Sequence, residues 1–211
     1  RTCAPGRAPG SLTAVLFPTL TFALFFSLVF PLHWLLQRRP TVWRVFMLAA
    51  SYVFYGWWDW RFVSLIVAAT VANQAAARGI RAARRRAWHR AAKATMAGVL
   101  AVDLGLLAIF QYADFFGASL NAGLNSLGYD AHVPLLHLIL PVGISFFTFQ
   151  AISYVVDVYR GDIEPSPGLD FAVYLAFFPQ LVAGPIVRAS ELMPQMARPR
   201  TLTHALASRG A

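Results

Sequence analysis

Charge is scarce in this sequence. Asp, Glu, Lys and Arg make up 13% of its 211 residues, against about 25% in an ordinary soluble domain. Cysteine is scarcer still, with Cys3 standing alone. One thiol closes no internal disulfide, and no Cys/His spacing suits a metal ion, so disulfide scaffolds and zinc modules are excluded and no metal ligands are expected. Strict apolar/polar alternation over ten-residue segments is also missing, which sets aside a membrane barrel.

What the chain has in quantity is apolar side chains, 58% of the total, with a mean hydropathy of +0.55. Arranged in long runs, they specify an all-α, polytopic helical membrane protein. The net charge of +9 does not point to nucleic acid. Seven of the eighteen Lys and Arg fall between Arg78 and Lys93, and no nucleic-acid module accompanies them. A basic segment beside an apolar run reads as a topology signal and a contact for anionic lipid.

Five spans are expected. Residues 1–13 form a flexible lead-in to a membrane region over 14–188. The run from Leu12 to Leu36 is too long for the core of a signal peptide and lacks a clear cleavage site. Span one covers Ala14 to Leu36, kinks at Pro31 and stops at Arg38-Arg39, with His33 as an interfacial residue. Span two covers Val42 to Trp58, and Tyr52, Tyr55, Trp57, Trp58 and Trp60 suit an aromatic belt at the headgroups. Span three, Phe62 to Ala77, holds Asn73 and Gln74, amides able to bond a neighbouring helix. The basic loop 78–93 follows, suited to an amphipathic surface helix. Span four covers Ala94 to Phe116 and encloses Asp103. A buried carboxyl there is either functional or tied to another helix. Asp114, eleven positions on, shares its face at the interface. A loop without Lys or Arg, Gly117 to Pro134, leads to span five, Leu135 to Tyr159. His132 and His137 flank that entry at a spacing too poor for a metal pair.

With loop 78–93 in the cytoplasm, Arg38, Arg39, Arg44 and Arg160 fall on the same side, and the N-terminus falls outside. The last apolar segment, Phe171 to Val187, carries Pro179, Gln180, Gly184 and Pro185. A full crossing would strand Arg188, Arg198 and Arg200 outside. A re-entrant or broken helix keeps them inside, with its irregular backbone lining a cavity. Residues 189–211 read as a polar cytoplasmic tail continuing into a missing second half.

Three stretches also carry a resemblance. LPVGISFFTFQAISYVVDVYRG (140–161), YLAFFPQLVAGPIVRASELMPQ (174–195) and ASYVFYGWWDWRF (50–62) resemble the membrane-bound O-acyltransferase family, in the branch that O-acetylates alginate. The resemblance covers Leu16 to Gln195. Two departures stand out. Asn73-Gln74 replaces a usual Asp-Tyr pair. The Trp-His-Gly type motif that carries the family's catalytic histidine does not occur, His204 being a poor substitute in a polar tail. The chain therefore resembles the N-terminal half of such an enzyme and holds no catalytic residue of its own.

The resemblance implies acyl transfer across the inner membrane. A cytoplasmic thioester, acetyl-CoA or another acyl donor, gives its acetyl group to an extracytoplasmic polysaccharide such as alginate. A periplasmic or secreted acyltransferase takes part, and no bound cofactor is needed. A histidine would act as general base and neutral donors would hold the oxyanion. This chain would supply tunnel wall from Ser145, Thr148, Gln150, Gln180 and Arg188. The glutamines and Arg188 have plainer roles open to them: interhelical hydrogen bonds for the glutamines, and snorkelling for Arg188 in place of a donor phosphate. Two rival classes are a transporter, which broken helices and a buried Asp103 would also suit, and a non-catalytic scaffold, which the missing histidine would suit.

Overall fold

The computed structural model describes residues 20–127, 143–183 and 187–197. Regular structure among them is entirely helical: α1 (Leu20–Leu36), α2 (Pro40–Trp58), α3 (Trp60–Arg85), α4 (His89–Ser126), α5 (Ile144–Arg160), α6 (Gly168–Ala176), α7 (Phe178–Ala183) and α8 (Ala189–Ala197). Two of them, α3 and α4, are long and apolar enough to cross a membrane. Only 17% of the apolar stretch of α4 is buried, and Val102, Leu106, Ile109 and Phe116 face outward. A helix that shows such side chains to its surroundings suits lipid, and this is the architecture of a helical membrane protein.

Local chemistry sets the boundaries. Pro40 opens α2 at the first helical position, where its missing N–H costs nothing. One residue, Asp59, separates α2 from α3, and its carboxylate accepts the Arg61 N–H at 2.9 Å as an N-cap. Gly143 (φ 80) and Gly161 (φ 88) bracket α5. At Gly161 the chain leaves the helix in a Schellman turn. The Asp162 N–H reaches the Asp157 carbonyl at 3.0 Å and the Gly161 N–H the Val158 carbonyl at 3.2 Å.

Helix α3 is the hub. It packs against α2, α4, α5 and α6. Ile66, Ala77 and Ile80 are fully buried on it, and its alanines allow neighbours to approach closely.

Several sequence expectations change. The basic segment 78–93 is not a loop: α3 runs to Arg85 and α4 starts at His89, leaving a turn of three residues. Alanine and arginine are strong helix formers, and nothing stronger than Gly79 interrupts them. Nor is 117–134 all loop, since α4 continues to Ser126. Glycines there weaken a helix by about 1 kcal/mol each, less than a proline would, and the first proline is Pro134. At 38 residues, α4 is about 57 Å long and outruns a hydrocarbon core of about 30 Å. Within the described residues, α1 begins at Leu20 and continues through Pro31, and α5 begins at Ile144. Tyr55 is no belt residue, being 4% exposed in the core, whereas Trp57 and Trp60 do face outward. The segment after Arg188 is not simply a polar tail: α8 packs on α5 and α6 with Ala189 buried, because its Leu192, Met193 and Met196 cover the core. Residues 1–13, His132, His137, His204 and 198–211 lie outside the described residues.

Candidate functional site

The last apolar segment breaks at Phe177, whose backbone (φ −59, ψ 101) is not helical. Pro179 explains it: a helix through this point would lose one bond and press the ring against a preceding carbonyl. The Phe178 N–H freed by the break is taken by Ser51 Oγ of α2 at 3.3 Å. Irregular backbone is thus buried in protein and satisfied there, as apolar surroundings demand. Phe178 packs edge-on to Phe25 and tilted on Phe54, 5.3 Å from each. After α7 the chain comes back to its starting end. The Val187 carbonyl accepts the Tyr174 hydroxyl at 2.8 Å, and Met193 Sδ accepts the Ser166 hydroxyl at 3.0 Å.

That end is the elbow between α5 and α6, residues 161–167, and α3 holds it from one side. Gln74 Nε2 donates to the Ser166 carbonyl at 2.6 Å. Gln74 Oε1 accepts the buried Tyr154 hydroxyl at 3.0 Å, and that hydroxyl accepts the Ser166 N–H at 3.0 Å. Tyr154 also stacks on Phe171 of α6, 4.2 Å between centroids. Arg81 pairs with Glu164, and Arg44 of α2 reaches Asp170 of α6 at 2.8 Å. Arg84 donates to the carbonyls of Tyr159 at 2.5 Å and Val158 at 3.4 Å in the last turn of α5, the second of which also takes the Gly161 N–H. Two arginines of the basic segment, Arg81 and Arg84, therefore bind this chain's own backbone and side chains. Arg84→Met is expected to release the last turn of α5. Hydrogen exchange at residues 158–161 should rise about tenfold, the value of one charge-assisted bond, with little change in the middle of α5.

The expected wall residues do not form one cluster. Thr148 (5% exposed) and Gln150 (1%) are both buried on α5, but two positions apart they point about 200° from each other. Ser145, half-buried, shares the Thr148 side. Gln180 is buried on α7. Arg188 is exposed. Asp103 is 5% exposed and accepts from Asn73 Nδ2 at 3.1 Å, so the two tie α4 to α3. His33 is engaged structurally: the Trp43 indole N–H donates to its Nδ1 at 3.0 Å and Gln37 lies 2.8 Å from Nε2. No cluster of three metal-ligating side chains occurs among the described residues.

The sequence reading passed over Asp157 and Tyr154. With Gln150 they stand at i, i+4 and i+7, one polar stripe down the buried face of α5. Gln150 Oε1 and Asp157 Oδ2 are buried without a hydrogen-bond partner among the described residues. Buried acceptors of this kind call for a partner that the described residues do not supply. The helical spacing was the available signal.

Over 82% of its length the chain is 42% identical to the probable alginate O-acetylase AlgI of Pseudomonas aeruginosa, covering 32% of that protein. Its counterpart in Pseudomonas syringae pv. tomato is 38% identical over the same shares. The chain is thus similar to proteins named O-acetylases, in keeping with its resemblance to the membrane-bound O-acyltransferases. A peptidoglycan O-acetyltransferase of Helicobacter pylori is also similar, 34% identical over 84% of this chain and 37% of that protein. The chain spans about a third of the length of the relatives it matches, less than the half that the resemblance implied. No family model matches the chain, and no solved structure does.

Proposed function

We propose that this chain is part of the membrane portion of an O-acyltransferase. It moves an acyl group, acetyl by analogy with its relatives, from a cytoplasmic thioester such as acetyl-CoA to an extracytoplasmic polysaccharide such as alginate. The observation that carries the reading is similarity over more than four-fifths of the chain to proteins named O-acetylase and O-acetyltransferase.

In this reading five segments span the inner membrane, and α6 and α7 form a re-entrant wall entered from the cytoplasm. The gathering of Arg44, Gln74, Arg84 and the elbow at one end of the bundle supports that sidedness. The polar stripe Gln150–Tyr154–Asp157 and Gln180 line part of the path by which the two substrates meet. The general base comes from a histidine outside 1–211, and a periplasmic or secreted acyltransferase takes the group onward. These 211 residues alone are expected to transfer nothing.

The test is transfer of radiolabelled acetyl groups from acetyl-CoA to alginate in inverted membrane vesicles bearing the native protein. Label in the polymer, absent from vesicles of the deletion strain, is the expected result. Substrate flux without any transfer would overturn the reading in favour of a transporter.

A further inference from the structure

One cleft lies between the basic end of α3 and the elbow, and only Arg81 among its arginines pairs with an elbow side chain. Arg78, Arg81, Ala82 and Arg85 stand on one face of α3 at i, i+3, i+4 and i+7. With Glu164 and Pro165 they border an open cleft of about 330 Å3. Glu164 is the single acid there and takes only Arg81. Arg78 and Arg85 are exposed, and the Arg78 guanidinium reaches as far as Gly168 at the start of α6, where an added methyl would lie 3.6 Å from it. Three guanidiniums around one carboxylate leave two positive charges uncompensated. Guanidinium forks match phosphate oxygens in pairs.

Depth selects the source of the phosphate. The apolar part of α3 ends at Ala77. From Arg78 to Arg85 the helix advances about 10 Å, enough to cross a headgroup layer of roughly 5–7 Å on each side of the hydrocarbon. Trp88, 58% exposed and with Arg86 5.3 Å over its ring, sits just beyond, as interfacial tryptophans do. We infer that the Arg78–Arg81–Arg85 cleft binds the phosphate of an anionic phospholipid headgroup. A lipid seated there would lie between α3 and the elbow and compete with Glu164 for Arg81. The inference rests on the membrane setting and not on acyl transfer.

The native protein, purified in detergent, is titrated with phosphatidylglycerol or phosphatidylcholine, and bound lipid is counted by native mass spectrometry. Phosphatidylglycerol should bind with clear preference. Arg78→Gln with Arg85→Gln should weaken it roughly 30-fold, from about fivefold per arginine at a headgroup surface, while phosphatidylcholine stays unchanged. Glu164→Gln, which removes the competing carboxylate, should tighten it several-fold. Arg86→Gln, outside the cleft, should leave it alone. Equal binding by the double variant, or no tightening in Glu164→Gln, overturns the site. Displacement of the lipid by millimolar coenzyme A or inorganic phosphate overturns the headgroup as its source and assigns the cleft to a soluble phosphate.

Discussion

Gly161→Ala is expected to lower the midpoint of thermal unfolding in detergent by roughly 5–10 °C, for two separable reasons. Gly161 holds φ 88, a left-handed conformation that costs a side chain about 1 kcal/mol. A Cβ at this position would also lie 2.7 Å from Arg84 Nη1 and 3.1 Å from Nη2. The guanidinium is the flexible end of a side chain and can move, but moving it breaks the bonds to the Tyr159 and Val158 carbonyls. Those bonds to a charged donor are worth about 1.5–3 kcal/mol together. Asparagine tolerates the left-handed region yet still carries the Cβ, so Gly161→Asn should recover only the conformational part. In Arg84→Met the contact is already gone, and Gly161→Ala should then cost about 1 kcal/mol alone. If the two substitutions instead add in full, the close approach is irrelevant and only the dihedral matters.

The glycine also shows how far the sequence could be read. The break in the last apolar segment was legible because Pro179 removes a helix bond and Gly184 and Pro185 follow it, although α1 runs on through Pro31, and Asp103 was legible as a carboxyl needing a partner. Asn73 as that partner was not, because thirty positions separate them and only packing brings α3 against α4. Span ends were misjudged where charge was taken as a boundary. Between Arg78 and Arg85 the charges sit on a continuing helix, and arginine is a good helix former whether or not lipid surrounds it. The largest miss is functional. Arginine in excess beside a span has a general explanation in topology, which concealed the specific work of Arg84 and Arg81 at the elbow. Likewise, polar residues of α5 were taken one at a time as Ser145, Thr148 and Gln150. Taken at helical period, Gln150, Tyr154 and Asp157 form the buried stripe instead.

Tyr154 is where that stripe meets the elbow, and its replacement should be the most damaging single change. Tyr154 is fully buried, stacked on Phe171 and hydrogen-bonded to both Gln74 and Ser166. Tyr154→Phe keeps the ring and strands Gln74 Oε1 and the Ser166 N–H, at about 1–3 kcal/mol for a buried group left unpaired. Tyr154→Ala removes the ring as well, and large aromatic truncations in a core cost about 3–5 kcal/mol. A double-mutant cycle with Gln74→Leu separates the contributions. Gln74→Leu should cost much less in a Tyr154→Phe background than in the native one, because hydroxyl and amide partner each other. The same variants bear on the proposed chemistry. α6, α7 and Arg188 take their position from the elbow, and misplacing a substrate wall by about 1 Å can cost roughly 100-fold in rate. Tyr154→Phe should therefore reduce acetyl transfer by native membranes well beyond its loss of folded protein. Transfer that falls only in step with the amount of folded protein would leave the elbow a structural joint and remove Gln150, Tyr154 and Asp157 from the substrate path.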